Sequence, residues 1–307
     1  MGGPIQEETG PRSARSRPPR IEEGIPNPAP RCARVRTTLV SLACLALVAV
    51  PLAIAVNDVV ARTLAGYAVA AVIFRAVDVA RAPGTFRSLP RAAVLLIVLD
   101  PRRARRVPRQ LQAGRLVMSA VLGAISVGLL AGAHALLEGE APFGSARQYA
   151  RAWVGGFALL AGAESSAALL SAGAAAAGWD VPSLHRSPAR SRTLSEFWGQ
   201  RWNRLVGSWL RAHAFEPLAR AGLPRAGIVA AFGASAIVHA YPTALAVGLG
   251  PAATIGAFFV AHGALIVVEA QVGVRRWPRA ARHAFLVAAF AATLPLFVEP
   301  FLRSLSL

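Results

Sequence analysis

The chain has 307 residues, of which 55% are hydrophobic and 16% are charged. This balance excludes an ordinary soluble domain, in which about 25% of the residues are charged. The net charge is +18, and all 33 basic residues are arginine. These arginines lie between long apolar blocks, so membrane topology and anionic lipid headgroups explain them better than nucleic-acid binding does.

Residues 1–36 are polar and rich in proline, arginine and glutamate, which predicts a disordered tail. Seven apolar blocks follow, each near or above the ~20 residues that a helix needs to cross a bilayer. The predicted spans are 37–56, 59–80, 116–137, 149–177, 226–247, 252–272 and 284–303. We therefore expect an all-α polytopic membrane protein in which residues 37–307 form one membrane-embedded domain.

The arginines predict which way the chain crosses the membrane. Loops 81–115, 181–225 and 275–282 carry nine, eight and four arginines, whereas the alternate loops carry almost none. Because arginine-rich loops remain in the cytoplasm, these three loops and the N-terminus should all be cytoplasmic. The exclusive use of arginine, with abundant alanine and glycine, is typical of a GC-rich bacterial genome, so we expect the bacterial inner membrane.

The long loop 181–225, here called the motif loop, carries more than a connector needs. Thr193 and Glu196 form a capping-box pattern that predicts a helix beginning near Leu194. On that helix one apolar face is formed by Trp198, Trp202, Leu205 and Trp209. Such a stripe, with arginines around it and Asn203 off its face, is typical of an amphipathic helix at the membrane interface.

Histidines inside the spans are the other candidates for chemistry. His239 lies near the middle of its span, at a depth where an ionisable side chain usually serves a function. A packing role, with the imidazole bonded to a helix carbonyl, is the alternative. His262 lies inside the next span as a candidate pocket residue. The sequence carries no metal-ligand spacing, phosphate-binding loop or serine-nucleophile elbow, so no metal site is expected.

The run TLSEFWGQRWNRL, residues 193–205, resembles the signature of the wax synthase branch of the membrane-bound O-acyltransferases. In that branch, a helix with a buried histidine follows some 35 residues later, and His239 fits this position. Segments 74–78 and 258–269 resemble weaker elements of the same family, so the similarity covers roughly 60–303. Ala240 departs from the pattern, where an acidic residue is usual, and His262 stands where glutamine is common.

The resemblance implies a fold like that of these acyltransferases and transfer of an acyl group from acyl-CoA to the hydroxyl of a lipid-soluble alcohol. Acyl-CoA is then a co-substrate, and no bound cofactor is needed. His239 would take the hydroxyl proton, while Asn203 would hold the thioester carbonyl or steady the histidine. The predicted substrate-binding residues are Phe197, Trp198, Arg201, Trp202, Arg204 and His262, with the arginines contacting CoA phosphates.

Two other functions remain open from the residues alone. A transporter or flippase could use His239, His262 and Glu164 as a polar path across the membrane. A membrane protein without catalytic activity is the third reading. The motif loop favours the enzyme because transport requires no such element, and the sequence shows no duplicated halves of the kind many transporters have. The sequence does not distinguish a fatty alcohol, a diacylglycerol or a sterol as the acceptor.

Overall fold

The structure is a computed structural model, and it describes residues 42–43, 46–81, 104–135 and 144–306. The tail 1–36, predicted to be disordered, lies outside the described residues. So does most of the first half of the predicted span 37–56. Its described end differs from the prediction, because the helical conformation finishes with a 3-10 turn at Val50–Ala53 and Ile54 is extended.

Six helices in the described part of the chain are long and apolar enough to cross a membrane. They correspond to the second to seventh predicted spans, with ends that differ by at most five residues. They are α1 (Val59–Arg81), α2 (Ala113–Ala135), α3 (Ala146–Ala176), α7 (Pro224–Val247), α8 (Leu249–Gln271) and α9 (Arg279–Arg303). The predicted all-α membrane architecture is therefore confirmed. The 31-residue α3 is continuous through its glycines.

The remaining elements are short and lie near one end of the helix bundle. They are the helices α4 (Leu194–Glu196), α5 (Arg204–Leu210) and α6 (Glu216–Arg220), the π-helical turns Phe197–Arg201 and Arg211–Phe215, the 3-10 turns Pro188–Arg190 and Val274–Arg276, and the strands β1 (Arg105–Arg106) and β2 (Trp179–Asp180). The two strands pair antiparallel, with Arg105 opposite Asp180. Two arginine-rich segments that are distant in sequence are thereby joined.

The helix ends alternate between the two sides of the bundle, as the arginine pattern predicted. The motif loop contacts the C-terminal ends of α1 and α8 through Trp209 and Leu194, and the N-terminal end of α9 through Ser191. At the opposite end, Arg62 of α1 donates to the carbonyl of Leu245 in α7 across 3.1 Å. The described parts of the arginine-rich segments, residues 104–112, 181–223 and 272–278, therefore lie on one side.

The bundle is packed around α7, α8 and α9. One apolar cluster joins Ala152 of α3 to Val298 and Leu302 of α9, and another joins Ala236 of α7 to residues of α8. The helices α2 and α3 are linked differently, by the Ser126 hydroxyl, which donates to the Ala158 carbonyl at 2.8 Å. Small residues and interhelical hydrogen bonds of this kind are how helices associate where lipid removes the hydrophobic driving force.

Tight turns connect the helices on which the site is built. Between α7 and α8 the chain reverses at Gly248, whose φ of 99° is a conformation that residues with a Cβ rarely adopt. Pro224 occupies the first turn of α7, where its missing N–H costs no hydrogen bond. Together these two residues fix where α7 begins and ends, and His239 lies on α7 between them.

Candidate active site

The motif loop begins with the predicted capping box. The Thr193 hydroxyl accepts a hydrogen bond from the Glu196 backbone N–H at 3.1 Å, so α4 begins at Leu194 as expected. The Glu196 carboxylate reaches back one residue further than the usual pattern, to the N–H of Arg192. Burial opposes ionisation of Glu196, but this bond and the Arg201 guanidinium outweigh it and lower its pKa. Glu196 therefore carries its charge at neutral pH.

A second carboxylate, from α8, caps the same short helix. Glu269 is 2% exposed and accepts from the Leu194 N–H at 2.7 Å, from the Ser195 N–H at 3.3 Å and from the Ser195 hydroxyl. A carboxylate at a helix N-terminus accepts from N–H groups that would otherwise lack partners, and its negative charge interacts favourably with the helix dipole. Arg275 also donates to the Ser195 hydroxyl, so Ser195 connects Glu269 and Arg275.

The prediction of one continuous helix with a tryptophan stripe through Trp209 is wrong. After the π-helical turn, Trp202 is extended and Asn203 has a φ of 33°, in the left-handed region. Asparagine tolerates this conformation better than most residues with a side chain. The chain therefore changes direction between Trp202 and Arg204, and the tryptophans point to three different surroundings.

A buried histidine holds this change of direction in place. The Asn203 N–H donates to Nδ1 of His185 at 3.1 Å, and the His185 ring packs against Trp202 with centroids 4.6 Å apart. The backbone N–H of Arg204 donates to Leu184, and that of Arg186 donates to Arg201. Burial lowers the pKa of His185 to about 4, which keeps Nδ1 available as an acceptor. The sequence alone does not indicate this role of His185, because its only signal is a place in an arginine-rich loop.

The Asn203 side chain acts as a helix cap in this structure. Its Oδ1 accepts from the Val206 N–H at 3.3 Å, at the start of α5. Its amide NH₂ makes no hydrogen bond with the part of the chain that the structure describes. Asn203 thus retains both N–H donors of its amide for a ligand, and within the described residues its hydrogen bonds are with the motif loop and not with His239.

Trp198 turns away from the interface and enters the bundle. Its indole N–H donates to Nδ1 of His262 at 2.9 Å. Because Nδ1 accepts, Nε2 of His262 carries the proton and donates to the Thr293 hydroxyl at 2.8 Å, which donates in turn to the Ala289 carbonyl. His262 is 0% exposed. Both of its ring nitrogens are engaged, so any contribution to substrate binding would come through the neighbouring ring of Phe258.

His239 has one engaged ring nitrogen and one unengaged. Its Nδ1 lies 2.8 Å from the Ser235 carbonyl, which can only accept, so Nδ1 carries the proton and Nε2 presents a lone pair. Nε2 makes no hydrogen bond within the described residues. The ring is only partly buried and packs against Phe259 with centroids 4.2 Å apart. This tautomer is the one that a general base requires.

The motif loop and His239 meet through one aromatic residue. Phe259 contacts the Trp198 ring at 5.9 Å and the His239 ring at 4.2 Å, centroid to centroid. Of the predicted site residues, Trp198, His262 and His239 therefore belong to one connected cluster. Phe197 and Trp202 stack on each other at 5.7 Å beside it.

The weaker upstream element also joins the motif loop. Phe74 stacks on Trp209 with centroids 4.0 Å apart, and the Trp209 indole donates to the Phe74 carbonyl at 3.2 Å. Asp78 lies 3.0 Å from Nε2 of His213 and 4.0 Å from Nη1 of Arg75. Two segments that were singled out separately in the sequence thus pack together.

The two arginines predicted to bind substrate differ in their surroundings. Arg201 is engaged within the loop, with its Nε 2.7 Å from Glu196 and its Nη1 3.0 Å from the Arg186 carbonyl. The Arg204 guanidinium makes no hydrogen bond with the described residues and is half-buried. Only Arg204 therefore has its donors available for an anionic ligand in this structure.

Comparison with known proteins identifies the segment that carries this cluster. Residues 181–261 match the Membrane bound O-acyl transferase family. The resemblance seen in the motif loop is thereby confirmed, and the matched residues include both Asn203 and His239. The apolar helices indicate an integral membrane protein, in which residues 181–261 are similar to the membrane-bound O-acyltransferases.

Individual relatives are plant proteins. The chain is 29% identical over 113 residues to a probable long-chain-alcohol O-fatty-acyltransferase 7 of Arabidopsis thaliana, a match that covers 33% of either chain. It is 30% identical over 129 residues to the probable long-chain-alcohol O-fatty-acyltransferase 2 of the same organism, covering 39% of this chain and 37% of the relative. The match thus spans about a third of the length of these relatives.

Proposed function

We propose that this protein is an O-acyltransferase that transfers an acyl group from acyl-CoA to the hydroxyl of a lipid-soluble alcohol, most specifically a long-chain alcohol. The observation that carries the proposal is His239, a histidine in a membrane helix whose Nδ1–H is fixed by Ser235 and whose Nε2 is unengaged. The names of the plant relatives support the choice of a long-chain alcohol.

In the proposed reaction, Nε2 of His239 takes the proton of the alcohol as the alcohol oxygen attacks the thioester carbonyl. The carbon–sulfur bond then breaks, and the departing CoA sulfur recovers the proton from the imidazolium. The ester and free CoA leave, and the histidine returns to its starting state. No metal or covalent carrier enters this balance.

Asn203 and Arg204 supply the polar contacts in this proposal. The unengaged amide of Asn203 would donate to the thioester oxygen, where negative charge develops during attack. Arg204 would bind a CoA phosphate as its anionic partner. Both residues belong to the motif loop, so the acyl donor would approach from the arginine-rich side, which we propose is the cytoplasmic side of a bacterial inner membrane.

Transport receives less support from the observed contacts. A proton path through His262 would have to continue from one of its ring nitrogens to a neighbouring group. One neighbour is the Trp198 indole, which can only donate, and the other is the Thr293 hydroxyl, which donates to a carbonyl of its own helix. Within the described part of the chain, the hydrogen bonds that run from His262 through Thr293 therefore end at the Ala289 carbonyl.

The proposal is tested by incubating the purified, membrane-reconstituted protein with labelled acyl-CoA and a panel of alcohols. The panel should contain a long-chain primary alcohol, a diacylglycerol and a sterol. We expect labelled ester with at least the long-chain alcohol. The matched control is His134→Ala, since His134 is an exposed histidine on α2, and this variant should retain turnover. Failure of the folded protein to esterify any alcohol on the panel would reject the proposal.

A further inference from the structure

A tyrosine outside the motif loop faces His239. Tyr67 lies on α1, and its ring and the His239 ring meet edge to face, with centroids 5.9 Å apart and planes at 74°. Phe259 and Phe297 contact the same imidazole from α8 and α9. The histidine is thus surrounded by aromatic rings, and among these three Tyr67 alone carries a polar group.

Close packing of α1 on α7 fixes the position of this tyrosine. A Cβ added to Gly66 would lie 2.6 Å from the Cβ of Pro242, a distance that real Cβ atoms do not show, so the close approach of the two helices requires glycine there. One turn earlier, the Arg62 guanidinium bonds the Ile54 and Leu245 carbonyls, and the Thr63 hydroxyl donates to the Ser304 carbonyl. Tyr67 is therefore held beside His239 by a well-anchored backbone.

The Tyr67 hydroxyl makes no hydrogen bond with the described residues, in which respect it matches Nε2 of His239. Neither atom is among the described polar atoms that are fully buried and lack a hydrogen-bond partner. Tyr241, on α7, shows the contrasting arrangement, because its hydroxyl donates to the Val48 carbonyl at 2.7 Å. A tyrosine hydroxyl in apolar surroundings normally finds a partner. The Tyr67 hydroxyl can donate a hydrogen bond and Nε2 of His239 can accept one, so the pair suits a ligand that both accepts and donates.

We propose that Tyr67 binds the acceptor alcohol by donating its phenolic proton to the alcohol oxygen, which orients the alcohol O–H toward Nε2 of His239. This inference rests on the proposed acyltransfer. An alcohol oxygen has one proton and two lone pairs. The proton goes to His239, one lone pair accepts from Tyr67, and the other remains for attack on the thioester. Tyr67 would thus determine affinity for the alcohol and leave affinity for acyl-CoA unaffected.

The test is Tyr67→Phe, which removes the hydroxyl and retains the ring against His239. In turnover assays the KM for the alcohol should rise about fivefold to tenfold, the loss expected for one hydrogen bond, while the KM for acyl-CoA stays unchanged. The matched control is Tyr241→Phe, which removes an engaged hydroxyl two positions from His239 and should leave both KM values near wild type.

A second measurement is independent of turnover. Hexadecanol should raise the melting temperature of the wild type by mass action, and Tyr67→Phe should need about fivefold to tenfold more hexadecanol for the same rise. The role of Tyr67 would be overturned if wild type and Tyr67→Phe had the same KM for the alcohol, or if the same hexadecanol concentration raised their melting temperatures equally. Alcohol binding that depends on Tyr67 without any ester formation would instead reject the proposed acyltransfer and leave the alcohol site standing. Absence of both binding and turnover would overturn both.

Discussion

Trp198 and His262 are separated by 64 positions in the sequence, yet the indole N–H of one donates to Nδ1 of the other at 2.9 Å. This bond connects the motif loop to the centre of the helix bundle. It also fixes the tautomer of His262 and, through the shared contact with Phe258 and Phe259, supports the aromatic wall beside His239.

Replacing His262 should therefore affect stability more than chemistry. His262→Ala leaves the Trp198 N–H without its acceptor, which costs about 1–3 kcal/mol, and removes the donor to Thr293, whose hydroxyl keeps its bond to the Ala289 carbonyl. His262→Gln can accept from Trp198 and donate to Thr293, so it should recover most of that loss. Thermal unfolding of the two variants in detergent provides the comparison. A His262→Ala protein as stable as wild type would show that the relay contributes nothing.

Loss of His239 should remove catalysis without removing the fold. His239→Ala deletes the unengaged Nε2 and leaves only the Ser235 carbonyl without its side-chain donor, so turnover should fall about 10²–10⁴-fold while the protein remains folded. Acyl-CoA binding, measured by stabilisation against heat, should persist. Turnover close to wild type in the folded variant would remove His239 from the mechanism.

The helix-capping role of Asn203 and its proposed contact with the thioester oxygen can be tested separately. Asn203→Asp keeps an oxygen to cap α5 and tolerates the left-handed backbone, but it has no N–H to donate. If the amide binds the thioester oxygen, turnover should fall about 10²–10³-fold with little loss of stability. Asn203→Gly, which keeps only the backbone conformation, should lose the cap as well and melt lower. An active Asn203→Asp enzyme would limit Asn203 to its capping role.

The turn around Asn203 should weaken in acid. Burial lowers the pKa of His185 to about 4, whereas an unfolded histidine titrates near 6.5. Between these values the unfolded chain binds the additional proton, so the contribution of His185 to stability is present above about pH 6.5 and is lost as the pH falls toward 4. His185→Gln still offers an acceptor to the Asn203 N–H but does not titrate. Melting temperatures at several pH values should fall more steeply for wild type, and identical slopes would contradict the assignment.

The sidedness of the loops is open to direct labelling. With Cys32 and Cys44 replaced by serine, single cysteines at Ala189 and Ala146 place probes on exposed positions at opposite ends of the bundle. An impermeant thiol reagent added to intact cells should label the Ala146 position only. Labelling of the Ala189 position from outside would reverse the proposed orientation.

The six spans of the described part could be predicted because each is a simple apolar block and the arginines mark alternate loops. The capping box at Thr193 was recognisable for a similar reason, since it depends on residues three positions apart. The break at Trp202 and Asn203 was not, because a helical reading of the tryptophan spacing assumes α-helical geometry, and here a π-helical turn followed by a left-handed residue replaces it. The physical cause lies elsewhere in the chain, in the bonds that His185 and Leu184 make to this turn.

Contacts between residues far apart in the sequence could not be predicted either. The sequence marked Glu269 and His262 as polar residues at membrane depth, but it could not show that one caps Leu194 and the other accepts from Trp198. These pairs lie 75 and 64 positions apart. Local spacing carries no information about such contacts, and only the way α8 packs beside the motif loop creates them.

The cap that Glu269 places on Leu194 has a consequence for biogenesis. Chains leave the ribosome N-terminus first, so the motif loop is complete before α8 and α9 have been synthesised. Until α8 is inserted, the Leu194 and Ser195 N–H groups and the Trp198 indole lack the partners that the finished protein gives them. The site is therefore assembled only after α8 has been synthesised and inserted, and nascent chains that stop after α7 contain every residue of the motif loop without its tertiary support.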